Sequence, residues 1–580
     1  MNGRPFSPAR VDWPRPALAL RESLREGYGF AGLRADLMAG MVVGVVALPL
    51  SMALAIASGV PPQHGLYTAI VGGGLIALLG GSRVQVSGPT AAFVVILSPI
   101  SHHFGLGGLL LATLMAGVLL IAMGLARMGR LIEFVPYPVT TGFTAGIAVV
   151  IGTLQIKDLL GLTVEATPEH YLERLEALAL ALPTTRLEDV VIGSLTLALL
   201  IFWPRVTPRI PGPLVALTLG AGAAALAAHL IPGFEVATIQ SRFHYVLEGA
   251  TLPGIPRTPP LPVLPWNMPG PDGRPLLFSF TLIRLLAPSA FAIALLGAME
   301  SLLSAVVADG MTGQKHDPDV ELVAQGLGNL VVPFFGGVAA TGAIARTATN
   351  VRSGARSPLA AFFHSLVLLA AVLALAPLLG YLPMASLAAL LLLVAWNMSE
   401  RDHFVRMLRV APRSDVAVLL ICFGLTVIFD MVVAVTVGVV LASLLFMKRM
   451  AEVSEVRLVQ EHPLTLEKPL PKGVLIYEVA GPLFFGAAHQ AMAALKQVDA
   501  GVRVVILDLR SVPVMDATAL VGLESAFERL HRGQIFVMLA GVQAQPLRVM
   551  ARAGWRDRHG RLAIYRTFER AVDEARKAFE

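Results

Sequence analysis

Two charged residues stand inside apolar stretches of this 580-residue chain. Glu300 lies in Leu295-Leu296-Gly297-Ala298-Met299-Glu300-Ser301-Leu302-Leu303-Ser304, midway along a run of membrane-spanning length. A lone carboxylate in hydrocarbon is expensive and by default marks a substrate path or a proton relay. It suits a carrier that takes up a proton with a substrate, or a structural carboxylate held by backbone N–H groups or an arginine, and the two roles are compatible. Arg346 follows Gly342-Ala343-Ile344-Ala345 and precedes Thr347. Its guanidinium is a planar fork of donors that matches a carboxylate or sulfate. The competing reading is a loop cation, against which stands its place inside a broken segment.

That segment has a counterpart. Gly80-Gly81 leads through an alternating extended stretch to Ser87-Gly88-Pro89-Thr90-Ala91-Ala92-Phe93, and Gly336-Gly337 leads to Thr341-Gly342-Ala343-Ile344-Ala345-Arg346-Thr347. Each reads as an extended strand followed by a helix start, with Pro89 suited to a first helical turn. Non-helical backbone at membrane depth is tolerated only where it is buried in protein or lines a cavity. Two half-helices starting near the midplane would aim their N–H groups and positive dipole ends at one site, a place for an anion. Corresponding breaks in two halves point to a transporter binding site; the bland alternative is two unrelated loops.

Other candidates carry less. His102-His103 closes a span and reads as an interfacial pair rather than a metal site. Lys157 and Asp158 sit at a span end, where they can snorkel, and Asp430 reads as a cap or turn residue. The one cysteine, Cys422, allows no intrachain disulfide, and no metal-type cluster or cofactor motif stands out.

These residues need an apolar scaffold, and the composition supplies it. The chain is 55% hydrophobic and 14% charged, with a mean hydropathy of +0.71. Soluble domains carry about 25% charge, so this is an integral membrane protein surrounded by lipid. Residues 449–580 are 25% charged and the rest 11%, so a membrane domain precedes a tail of soluble composition. The lysines and arginines of the membrane domain gather in short loops, where positive-inside orientation accounts for them without nucleic acid. Fourteen apolar stretches recur from about 36 to 447. Loops after even-numbered stretches hold Arg83, Arg127, Arg205, Lys315, Arg352 and Arg401, which places both termini in the cytoplasm. The first ~30 residues have arginines but no apolar core of a signal peptide.

We divide the chain into a tail (1–33), a transport domain (34–448), a linker (449–470) and an α/β domain (471–580). In the last, 474–479, 504–509 and 534–539 read as strands, and 517–532 and 544–553 as helices.

Leu48-Pro49-Leu50-Ser51-Met52-Ala53 with Gly59-Val60-Pro61-Pro62-Gln63-His64-Gly65-Leu66-Tyr67 resembles the signature of the sulfate permease (SulP) family. The order of fourteen spans followed by a STAS domain resembles it too, over 30–580. The runs 81–83, 87–97, 155–158, 309–313 and 395–400 are most similar to its bacterial C4-dicarboxylate-transporting members. The resemblance implies a seven-plus-seven inverted repeat with core and gate, an elevator movement, and a substrate between the third and tenth half-helices. By position it selects Ser51, Ser87, Gly88, Pro89, Thr90, Ala91, Ala92, Ala345, Arg346 and Thr347 for substrate, with Glu300 and Ser304 for coupling. It implies proton-coupled uptake of succinate, fumarate or aspartate by a homodimer in the bacterial inner membrane. Sulfate or bicarbonate, with sodium coupling, is the alternative; sodium-coupled members carry Asp at the Glu300 position. A membrane-anchored STAS signalling module is the distant one. No enzymatic constellation is present. In the STAS loop Val514-Met515-Asp516-Ala517-Thr518, Ala517 replaces the serine that related antagonists phosphorylate, so Asp516 reads as a helix cap. The domain is left to assemble protomers or bind a cytoplasmic protein.

Overall fold

The computed structural model describes residues 15–130, 135–164, 168, 170–207, 210–247, 249–276, 279–429, 431–453, 455–459, 470–484, 501–558 and 560–578. Asp430, residues 1–14 of the tail and 460–469 of the linker lie outside them. The chain forms two compact units, Met1–Val439 and Val440–Glu580.

The first helix of the first unit long and apolar enough to cross a bilayer is α1 (Phe30–Ala57). The second segment, α2, spans 62–79 as Pro62–Tyr67, a π turn Thr68–Gly72 and Gly73–Leu79. After the strand β1 (Ser87–Gly88) comes the helical stretch Ala91–Leu125. It is two helices, α3 and α4, parted at Gly105, whose φ of 65° and ψ of −172° are not helical. A Cβ there would stand 2.4 Å from the Gly270 backbone, so only glycine serves. Next come α5 (Tyr137–Leu159), α6 (Leu187–Val206) and α7 (Gly212–Leu230). A hairpin of β2 (His244–Leu247) and β3 (Ala250–Pro253) leads to the second half.

That half repeats the order. It runs α8 (Phe280–Thr312), α9 (Pro318–Val331) ending in a 3-10 turn, β4 (Thr341–Gly342) and α10 (Ile344–Arg352). Then follow α11 (Leu359–Leu379), α12 (Met384–Met398), α13 (Arg413–Ile428) and α14 (Met431–Val453). Each half thus has a long first helix, a second that carries a non-α turn within it or at its end, and a third that starts only after a two-residue strand. α1 to α4 pack with α8 to α11 as one group, while α5 packs on α12 and α13, and α6 on α7 and α12. Small residues let the backbones close up: a Cβ at Gly40 of α1 would meet the Ala360 carbonyl at 2.6 Å and the His364 nitrogen at 2.9 Å. Helices Leu18–Arg25, Tyr171–Ala181 and Arg401–Val410 were not expected.

The second unit is a five-stranded sheet in the order β5 (Glu455–Val459), β6 (Val474–Ala480), β7 (Val504–Ser511), β8 (Phe536–Ala540), β9 (Leu562–Tyr565). β5 is antiparallel to β6 and the rest are parallel. One face packs on α15 (Ala517–Arg532) and α16 (Ala544–Arg552), the other on α17 (Phe568–Lys577). Coverage of both faces explains the unbroken apolar run Val504–Leu507. Residues 455–459 correct the linker reading: the charged Glu455 and Arg457 mask an edge strand that alternates with Val456 and Leu458. Asp516 does cap α15, its Oδ1 accepting from the Ala519 nitrogen at 2.7 Å.

Candidate functional site

The two half-helices meet through their strands. Ser87 pairs with Gly342 and Gly88 with Thr341, antiparallel, so β1 and β4 cross where α3 and α10 begin. The Ala343 nitrogen, at the N-cap of α10, donates to the Val86 carbonyl at 2.9 Å. A two-residue ladder in an apolar interior satisfies backbone that would otherwise be orphaned.

A polar frame around this crossing was not anticipated. Glu321, 1% exposed on α9, accepts from the backbone nitrogens of Gly81 (3.0 Å) and Ser82 (3.2 Å) and from Nε2 of Gln85 (3.1 Å) and Gln325 (3.0 Å). Gln325 Nε2 also donates to Ser87 Oγ at 2.8 Å. Asn329 brackets Ala340, donating to its carbonyl and accepting from its nitrogen, both at 2.8 Å. Glu321, Gln325 and Asn329 lie at i, i+4 and i+8, one face of α9. That spacing was readable in the chain and is the signal sequence reasoning passed over. Thr68, in the π turn of α2, accepts from the Val338 nitrogen at 2.7 Å.

Arg346, 3% exposed, reaches from α10 to the start of α3. Its Nη2 donates to the Pro89 carbonyl at 2.9 Å. Its Nε and Nη1 find no hydrogen-bond partner in the protein. A Cβ at Gly88 would stand 2.6 Å from Nη1, so glycine there is what lets the guanidinium lie against β1. Pro89 is not in the first helical turn: Thr90 is the N-cap and α3 opens at Ala91, because the chain stays extended until β1 is paired. Pro89 contributes its carbonyl instead.

The structure therefore gathers Ser87, Gly88, Pro89, Thr90, Ala91 and Ala92 with Ala345, Arg346 and Thr347. Thr347 Oγ1 accepts from the Val86 nitrogen at 3.1 Å and shares a 3.0 Å hydrogen bond with Ser304 Oγ, tying α8 to α10. Both hydroxyls are thus engaged in the frame. Thr90 is buried, and its side chain lies beside the carboxyl of the half-buried Glu300. Ala345 is exposed next to the buried Arg346. Ser51 is buried on α1 with its Oγ unpartnered, and its carbonyl lies against Gly65. His102 lines a different cavity of about 330 Å³ with Lys157, Asp158 and Arg242, in which Arg242 pairs with Asp158 at 2.5 Å.

What these elements amount to is clear from comparison. Residues 33–422 match the Sulfate permease family and residues 465–575 the STAS domain. YvdB of Bacillus subtilis (strain 168) is 40% identical over 530 residues, 91% of this chain and 95% of that protein. The bicarbonate transporter BicA of Picosynechococcus sp. is 30% identical over 544 residues, 90% of each chain. The murine solute carrier 26 family member A9 anion transporter in its inward-facing state superposes with a TM-score of 0.82. That match covers 100% of this chain and 97% of that one, at 18% identity, a likeness of fold. With its half-helix crossing and its sheet unit both accounted for, the chain belongs to the sulfate permease family and carries a C-terminal STAS domain.

Proposed function

We propose that the first unit carries an anion across a bilayer, holding it between the N-termini of α3 and α10 against Arg346. One observation carries this reading: a buried guanidinium at the strand crossing with two nitrogens, Nε and Nη1, that the protein leaves uncommitted. Buried charges are expected to be paired, and an anion from solution completes this one.

An inorganic oxyanion, sulfate or bicarbonate, is the favoured cargo. The matching family is described by sulfate and BicA by bicarbonate, and the Arg346 fork suits the oxygens of either. Proton symport of four-carbon dicarboxylates is a second reading, favoured by the half-buried carboxyl of Glu300 beside Thr90. In both, the group α1–α4 with α8–α11 slides against the α5–α7 and α12–α14 helices in an elevator movement. A homodimer in a bacterial inner membrane with both termini in the cytoplasm completes the reading, with the STAS unit assembling protomers or meeting a cytoplasmic protein.

The test is uptake of labelled sulfate, bicarbonate and succinate by the full chain in proteoliposomes, with and without an inward proton or sodium gradient. Saturable uptake of sulfate or bicarbonate is the expected result. Succinate uptake that depends on the proton gradient would favour the second reading instead, and no uptake of any of the three would contradict both.

A further inference from the structure

The short helix Arg401–Val410 links α12 to α13 and has two unlike faces. On one, the His403 ring shares a 3.1 Å hydrogen bond with the Tyr137 hydroxyl at the start of α5. Beside it the Phe404 ring packs on Phe423 of α13, the centroids 5.5 Å apart. Met407, a turn further along that face, is half-buried. These contacts fasten the helix to α5 and α13.

The other face is charged. Arg401, Val405 and Arg409 stand at i, i+4 and i+8, beside Asp402, Arg406 and Val410 in the same spacing, and these six residues line a cavity of about 470 Å³. Arg401 lies 3.5 Å from Asp402, an exposed pair of little worth. Arg406 and Arg409 meet no carboxylate among the described residues, so three guanidiniums share one acid. Arg401 also lies over the Trp396 ring at 5.2 Å, and that ring, near the end of α12, is 61% exposed.

Trp396 and Tyr137 mark the depth at which this face lies. Both are exposed aromatics with a polar tip at the ends of spans, the residue types that settle at the headgroup level of a bilayer. A helix between them with arginines on one side lies in the interfacial plane. Guanidinium forks match phosphate oxygens, and cations clustered just outside a span attract anionic lipid. A face solvated by water alone has no use for Val405 and Val410, the latter 76% exposed. Against a phospholipid they meet the glycerol and first methylenes while the guanidiniums take the phosphate.

We propose that this face is a docking site for an anionic phospholipid whose phosphate sits among Arg401, Arg406 and Arg409. The bound lipid fastens the junction of α12 and α13 to the bilayer surface. The cargo takes no part in it, so this site is independent of the one at Arg346.

The full-length chain in a nonionic detergent would be titrated with dioleoylphosphatidylglycerol and, separately, with dioleoylphosphatidylcholine, with Tm read at each concentration. Wild type should bind the phosphatidylglycerol about tenfold more tightly or better, since each guanidinium near an anionic surface is worth about fivefold. Salt at about 1 M should weaken that binding, because the Debye length falls to about 3 Å. Arg406→Gln combined with Arg409→Gln should weaken it about 25-fold and leave the Tm in phosphatidylcholine unchanged. Arg205→Gln, at the exposed end of α6, should leave it within about twofold. Equal affinity of wild type for the two lipids, a comparison that needs no variant, overturns the proposal, as does undiminished binding by the double variant. An equal loss in Arg205→Gln overturns it too, as the mark of diffuse charge attraction. So does a Tm rise with glycerol 3-phosphate as large as with the lipid, the mark of a site for free phosphate.

Discussion

Arg346 and Arg510 are both held against the protein, one in each unit, and their pairing differs. Arg510 lays Nε and Nη2 on the carboxylate of Asp508 at 2.8 to 3.1 Å, stacks over the Phe568 ring at 4.5 Å and faces Glu569. The Asp508 carboxylate beside it raises its pKa, which fixes the charge in place. Arg346 has a single carbonyl for partner and two nitrogens, Nε and Nη1, left over. The carboxylates reverse this contrast: Asp508 takes a guanidinium, whereas Glu321 is satisfied by backbone and amide donors without a cation. At the strand crossing, then, the acid Glu321 and the base Arg346 are bonded to different partners. An internal Glu–Arg pair would have consumed the charge that an anion needs, so the separation distinguishes a frame from a site.

The strongest way to break this comparison is at the frame. Glu321→Ala takes the acceptor from the Gly81 and Ser82 nitrogens and from Gln85 Nε2, at about 1–3 kcal/mol each, so the variant should fail to accumulate as folded protein, read by size-exclusion profile after detergent extraction. Next is Gly88→Val. Its Cβ falls 2.6 Å from Arg346 Nη1, and overpacking of about 1–3 kcal/mol should fall on anion affinity, weakening it tenfold or more in Tm-shift titrations. A smaller effect is expected in the other unit. Arg510→Ala strips the buried Asp508 of its cation and should cost about 1–3 kcal/mol, lowering the Tm of the full chain while leaving uptake per folded molecule unchanged. Uptake that fell with Arg510→Ala as steeply as with a change at Arg346 would dissolve the distinction between paired and unpaired arginines.

Much of the candidate site's framework was legible. The Gly-Gly pairs, the extended stretches and the following helix starts placed both half-helices, because a break at membrane depth shows as glycine, proline and polar residues inside an apolar run. Arg346 was legible for the same reason, a charge where charge is scarce. Pairing was not. That β1 and β4 lie side by side depends on contacts 253 to 255 residues apart, and no local pattern announces them. Pro89 was read by its helical preference, but strand pairing kept the chain extended past it. Glu321, Gln325 and Asn329 were missed although their spacing is helical, since attention went to charges in mid-span. Strand β5 was hidden by the charges it alternates with.

The central claim, that Arg346 is the anion's partner and not a structural cation, is tested most directly by Arg346→Ala in a saturation measurement. Labelled sulfate and bicarbonate uptake by wild type and variant would be compared in proteoliposomes, with Tm measured on the same preparations. Loss of one partner of a buried charge interaction costs about 2–5 kcal/mol. The account therefore predicts that uptake falls by more than tenfold while the Tm in the absence of anion stays near that of wild type. Uptake by the variant at wild-type rate and wild-type half-saturation would contradict it.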